Sequence, residues 1–153
     1  MEMIAKEGLV HWPASRMDAC SRSMRFWLLQ KGHDKNEVDK QVPVIIAALK
    51  QTIISVEGSW ILASRASRQT ELSITSYIEN EAQEHRIDLA FVENDVRWII
   101  DYKLGLEVAE TNTNSAAQAH KPQLVRYANL FLHENLPIKK AVFFLSLGKL
   151  VEI

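Results

Sequence analysis

Apolar residues recur along this chain with two different periods. Over residues 14–32, Met17, Cys20, Met24, Trp27 and Leu28 fall three and four apart, which predicts an amphipathic helix closed by Gly32. Asp34, with Glu37 three residues on, has the form of a capping box. It opens a second predicted helix through Val38, Val42, Ile45, Ile46 and Leu49. Pro43 inside that pattern predicts a kink or a break. Gly58 is expected to end the helical region.

From Trp60 the period shortens. ELSITSYI (71–78) alternates Leu72, Ile74 and Tyr77 with polar neighbours. HRIDLAFV (85–92) places Ile87, Leu89 and Phe91 on one side and Arg86, Asp88 and Ala90 on the other. Asn94-Asp95 is a tight-turn signal, after which VRWIIDYK (96–103) returns as a third strand, apolar enough to be central. Residues 104–120, rich in Thr, Asn, Ser and Ala, read as a mobile loop. Pro122 suits the first turn of a helix through QLVRYANLFLHEN (123–135). KKAVFFLSL then reads as a buried strand, Gly148 as a turn, and LVEI as a short closing strand.

The order is helices, three strands, a helix, then two strands. It predicts an α/β or α+β-like domain with a central mixed β-sheet flanked by helices. A chain of 153 residues suits a single domain, 1–153, with a helical part over about 1–58 and a sheet-and-helix part over about 59–153. No apolar run approaches a membrane span, and no signal-peptide core follows the N-terminus. The single Cys20 excludes an internal disulfide or a cysteine-built metal cluster, and a structural thiol is the expected role. A reducing, cytoplasmic compartment of bacterial type is the expected location, with no membrane partner.

The net charge of −1 hides a segregation. From Glu71 to Glu110 ten acidic residues stand against three basic ones, Arg86, Arg97 and Lys103. Basic residues gather before this zone (Arg16, Arg22, Arg25, Lys31) and after it (Lys121, Arg126, Lys139, Lys140). That distribution suits a cation site beside a phosphate-contacting surface, and equally suits charges spread over a solvated exterior.

The chemistry concentrates at WIIDYKLG (98–105). Residues two apart in a strand share a face, so Asp101 and Lys103 point the same way at the end of an apolar run. Alone, the pair is either a strand-end ion pair or the working half of a site. Asp88 adds to it. A carboxylate between Ile87 and Leu89 is costly to bury unpaired. If Asn94-Asp95 closes a hairpin, counting back from the turn sets Asp88 nearly opposite Asp101, ~5 Å away. Two facing carboxylates repel unless a cation lies between them, and Mg²⁺ favours one or two carboxylates completed by waters and substrate phosphate. Lys103 would then serve an attacking water or the charge developing at phosphorus.

The series I-D-L (87–89), a turn, I-I-D-Y-K (99–103) and Q-L-V-R-Y (123–127) resembles the nuclease domain of RecB- and AddA-type helicase-nucleases, within the PD-(D/E)XK superfamily. G-L-V-H (8–11) resembles the family's G-x-x-H segment. Glu71 matches an acidic residue ahead of the Asp-bearing strand, and AVFFLSLGKLVEI resembles the closing strand pair. The resemblance implies a restriction-endonuclease-like core. It implies a Mg²⁺- or Mn²⁺-dependent DNA phosphodiester hydrolase, of exonuclease type, working in recombination and repair.

Carried over residue by residue, His11, Asp88 and Asp101 would ligate the metal together with the Tyr102 backbone carbonyl. Lys103 would be the catalytic lysine, and Glu71 would tune the site. Gln123 and Tyr127 would brace it or contact DNA. His33, His85, His120 and His133 are expected at the surface. Arg86 stands where the family usually has Gly, and Leu104 where it usually has Thr. The sequence contains no G-x-x-x-x-G-K-[ST] motif. The resemblance therefore implies a helicase domain in the same full-length chain, of UvrD/Rep type, or in a partner subunit. The start shortly before Gly8 suits a domain boundary. Alternatives are a stand-alone endonuclease of the superfamily, and a catalytically silent DNA- or partner-binding module of the same fold.

Overall fold

Asp34 opens the long helix as its capping role requires: its Oδ1 accepts the backbone N–H groups of Asn36 (2.8 Å) and Glu37 (3.1 Å). The computed structural model describes residues 1–65, 67–78 and 81–153, the side chains of 77 and 78 excepted. The expected alternation at Tyr77 lies outside the described residues. The helices are α1 (Glu2–Glu7), α2 (Ala14–Gln30), α3 (Lys35–Ile54) and α4 (Val56–Leu62), and a 3-10 turn at Leu9–His11 separates α1 from α2. α2 and α3 pack as a hairpin through Met24 and Leu28 against Val38, Val42 and Ile46.

Three expectations in this region need correction. Trp27 is not on the packed stripe; it is 56% exposed, and the apolar contact with α3 is made by Met24 and Leu28. Pro43 neither ends nor divides α3. It lies on the exposed face, so the Asp39 carbonyl that loses its usual donor is on the solvent side. Gly58 does not end the helical region but sits buried inside α4, which runs on to Leu62. The axes of α3 and α4 meet at 88°. At that corner a Cβ on residue 58 would lie 1.9 Å from the Thr52 carbonyl oxygen, and only glycine permits the approach. No single helix among the described residues is long and apolar enough to cross a membrane.

The strands are β1 (Gln69–Ile78), β2 (Glu81–Glu93), β3 (Val96–Lys103), β4 (Ile138–Phe144) and β5 (Lys149–Glu152), in spatial order β1-β2-β3-β4-β5. β3 and β4 are parallel and the other pairs antiparallel, so the sheet is mixed and β3 is its middle strand. Asn94 (φ 51°) and Asp95 (φ 58°) both take the left-handed conformation that a two-residue hairpin demands. The crossover from β3 to β4 carries α5 (Thr113–Gln118) and α6 (Lys121–Asn129). The expected loop over 104–120 is therefore helical in its second half. Thr113 and Ala117, buried four residues apart, anchor α5 on the sheet, and small residues of this kind leave little hydrophobic periodicity in the sequence. α6 is shorter than the run 123–135 implied, and a 3-10 turn at Leu132–Glu134 follows it.

Helices cover both faces. Leu89, Phe91, Ile100 and Phe143 meet Ile4, Trp12, Met17, Ile61 and Leu62 on one side. Ile87, Ala90, Ile99 and Val142 meet Leu124, Tyr127 and Phe131 on the other. This is a mixed α/β architecture, a five-stranded sheet between helical layers. One strand breaks its own alternation. Ile87 belongs to the α6 side and Leu89 to the opposite core, although residues two apart share a face in a regular strand. The slip is centred on Asp88. Opposite it, Glu71 has φ 51°, and the ladder pairs Thr70 with Leu89 and Leu72 with Ile87 on either side.

Candidate functional site

The β2–β3 ladder ends at Leu89–Ile100, so the next residues out are Asp88 and Asp101, opposite one another as the hairpin count predicts. From there β3 continues alone beside β4, out to Lys103–Phe144. The Asp88 side chain takes up the backbone donor that β2 leaves behind: Oδ2 accepts the Tyr102 N–H at 2.7 Å. In an extended strand the N–H and C=O of one residue point to the same lateral side. The Tyr102 carbonyl therefore faces the Asp88 edge, while the Lys103 carbonyl accepts from Leu145 N on the other.

Asp101 is buried, 4% exposed. Its Oδ2 lies 2.7 Å from the Lys103 Nζ, without hydrogen-bond alignment, and no other donor among the described residues satisfies that oxygen. Its Oδ1 accepts a long bond from Gln123 Nε2 at 3.4 Å. Gln123 Nε2 also donates to the Tyr127 hydroxyl at 2.8 Å, one helical turn along α6. Gln123 and Tyr127 thus hold the far side of Asp101.

Glu71 is exposed and its Oε2 lies 2.5 Å from Arg86 Nη2. It shares a cleft of ≈520 Å³ with Asp88 and Tyr102, walled by Met1, Met3 and Thr70. Burial above all pushes the Asp88 carboxyl above its usual value; the Tyr102 N–H opposes this, the Asp101 and Glu71 charges add to it, and Lys103 counters. The Tyr102 ring lies on the other face of β3, edge-on to Phe143 with centroids 6.3 Å apart.

His11 is not gathered in. It is exposed in its 3-10 turn, where its N–H donates to the Gly8 carbonyl at 3.1 Å and its own carbonyl accepts from Arg16 Nη1 at 2.8 Å. Among the described residues no three His, Cys, Asp or Glu side chains converge closely enough to hold a metal. What the site presents is a facing carboxylate pair, one member carrying a buried oxygen short of donors and the other destabilised as an anion by burial and, less, by its acidic neighbours. A hard cation with few protein ligands fits that donor set, and Mg²⁺ binds in this way, keeping several waters.

His85 needs correction as a plain surface residue. It is half-buried; its Nε2 lies 2.7 Å from Ser76 Oγ, and its ring stands edge-on to Tyr127 at 6.2 Å. A signal existed, since His85 stands two residues before Ile87 and faces the same α6 side. Arg126, three residues after Gln123, reaches a second cleft of ≈440 Å³ that Gln123, Tyr127 and His85 also line.

Fold and site define a mixed α/β domain with an acidic pair and a lysine at the end of its central strands. No protein-family model matches the chain, and no curated protein sequence matches it.

Proposed function

We propose that this domain is a metal-dependent deoxyribonuclease of the RecB/AddA type with a restriction-endonuclease-like core. It hydrolyses DNA phosphodiester bonds in recombination or repair, beside a helicase in the same protein or in a partner. The observation that carries the reading is the Asp88–Asp101 pair facing across the end of the β2–β3 ladder, with Lys103 Nζ 2.7 Å from Asp101.

Asp88, Asp101 and the Tyr102 carbonyl would hold Mg²⁺ or Mn²⁺. When bound, such an ion makes water nucleophilic near neutral pH and offsets charge on the phosphoryl oxygens. Lys103 is one-third exposed, able to turn from Asp101 toward the attacking water or a non-bridging oxygen and donate a proton in a hydrogen bond there. Gln123 and Tyr127 fix Asp101 in the orientation its ligand role needs. Glu71 supplies a second negative group beside Asp88, adjustable through Arg86. His11 as a third ligand requires its turn to move toward the carboxylates.

The test is cleavage of linear and circular single-stranded DNA with Mg²⁺ or Mn²⁺. Asp88→Ala and Lys103→Ala should each abolish it while circular dichroism stays native; unchanged cleavage by either variant overturns the reading. Activity on circles distinguishes an endonuclease from an end-dependent enzyme. Metal titration of His11→Ala decides its role: weakened binding supports ligation, and unchanged binding leaves a two-carboxylate site.

A further inference from the structure

Two clefts flank the carboxylate pair, one lined by a member of it and the other joined to it through a hydrogen-bonded neighbour. The first contains Asp88 itself. The second lies between the β1–β2 ribbon and α6, and reaches Asp101 through Gln123. The second is lined by Gln83, Glu84, His85, Gln123, Arg126 and Tyr127, more polar than apolar in surface. Its ≈440 Å³ falls in the range of small-molecule sites, large enough for one nucleotide unit.

Three features give it the chemistry of nucleotide recognition. Arg126 is exposed, and among the described residues no carboxylate pairs with it, which leaves its planar donor fork for a phosphate. His85 is held in place rather than free: Ser76 Oγ lies 2.7 Å from Nε2, and the ring leans edge-on against Tyr127. That contact occupies one ring nitrogen and leaves the other for a sugar or base. Gln83 adds an amide donor and acceptor at the rim.

We infer that this cleft is a subsite for the nucleotide adjoining the bond to be cut, with Arg126 on its phosphate and His85 selecting its sugar or base. The inference rests on the proposed nuclease reading for its position relative to the scissile phosphate. The binding chemistry rests on Arg126 and His85, which that reading does not use. Among the described residues Glu84 is the one anionic group in the lining, and it opposes a phosphate, so its neutralisation should tighten binding.

The experiment measures binding of a short fluorescein-labelled single-stranded oligonucleotide in Ca²⁺ across a salt series. Cleavage kinetics of the same strand in Mg²⁺ are measured in parallel. Wild type, Arg126→Ala, His85→Ala, His85→Gln and Glu84→Gln are compared, each checked for native thermal unfolding. Arg126→Ala is expected to weaken binding about tenfold and to reduce the salt slope by about one counterion. His85→Ala should raise KM with kcat little changed, with part of the loss recovered in His85→Gln. Glu84→Gln should bind more tightly.

If wild type cleaves and Arg126→Ala and His85→Ala keep its KM and salt slope, the subsite is wrong and the nuclease reading stands. If wild type binds and the variants lose affinity but nothing is cleaved, the cleft stands as a nucleotide-binding site, while the nuclease reading and the cleft's place beside a scissile bond both fall. If wild type neither binds nor cleaves, both fall.

Discussion

Asp88 Oδ2 accepts the Tyr102 backbone N–H at 2.7 Å, one step beyond the last β2–β3 pair, so a side chain continues a ladder that the backbone has left. This bond ties the carboxylate to the end of β3 at the point where β2 turns away. At the same point Ile87 and Leu89 go to opposite cores, and Glu71 across the β1–β2 pair adopts φ 51°. Strand divergence and carboxylate placement are one structural event, which makes the electrostatics of Asp88 measurable through stability.

Asp88→Asn keeps an oxygen for the Tyr102 N–H and removes the charge. Burial, with help from Asp101 and Glu71, raises the Asp88 pKa in the fold above its reference of 3.8. The folded state then retains this proton to higher pH than the unfolded chain does. Stability is unaffected by Asp88 below 3.8, falls as pH rises from there through the raised folded value, and is level above it. Without divalent cation, Asp88→Asn is expected to melt higher than wild type at pH 7, with the gap closing toward pH 3. Melting curves across that range check this, and a constant gap contradicts it.

A divalent cation should reverse that penalty. Thermal unfolding of wild type is expected to shift upward with millimolar Mg²⁺ or Mn²⁺ and to return with a chelator. A hundredfold excess over Kd corresponds to about 2.7 kcal/mol. Asp88→Asn and Asp101→Asn should lose most of the shift. An equal shift in all three proteins means the cation binds elsewhere.

Lys103→Met leaves Asp101 as a buried anion without its cation. The Asp101 side chain is 6% exposed and that of Lys103 33%, so the loss is smaller than for a fully buried pair, about 2 kcal/mol. In an Asp101→Asn background the same substitution should cost much less, because no stranded charge remains. A urea-unfolding double-mutant cycle reads the coupling directly.

What the sequence made legible follows from local rules. The Asn94-Asp95 turn fixes the hairpin register, the register sets Asp88 opposite Asp101, and alternation puts Lys103 beside Asp101. Gln123 and Tyr127 are legible for the same reason, as an i, i+4 pair on one helix. What was not legible depends on tertiary contacts. Gly58 reads as a stop but serves a helix corner, Trp27 reads as core but faces water, and α5 is held by two small buried residues. The face change at Asp88 violates the period-two rule on which the strand reading depended. The placement of His11 follows from the path of the N-terminal turns, which no local pattern encodes.

Gly58→Ala is expected to be severely destabilising, by roughly 3 kcal/mol or more, despite alanine's better helix propensity. The added Cβ meets the backbone oxygen of Thr52 at 1.9 Å and Ser55 Oγ at 2.6 Å. Neither the carbonyl nor the capping hydroxyl, which accepts the Gly58 N–H at 3.0 Å, can yield without opening the α3–α4 corner. Chemical denaturation of the variant checks this.

Glu71 offers a test of whether backbone strain accompanies the face change. At φ 51° a residue with a Cβ is disfavoured relative to glycine by about 1 kcal/mol, so Glu71→Gly should relieve strain that Glu71→Ala retains. Both substitutions lose the Arg86 ion pair, whose side chains are 70% and 41% exposed and whose contribution is therefore small. Both also remove one of the charges that raise the Asp88 pKa. These shared losses cancel between the two variants, leaving the backbone term alone. Glu71→Gly is expected to be the more stable by about 1 kcal/mol in urea unfolding. Equal stabilities would show that β1 relaxes to an ordinary strand once the glutamate is gone, and that its side chain, held by Arg86, imposes the left-handed turn opposite Asp88.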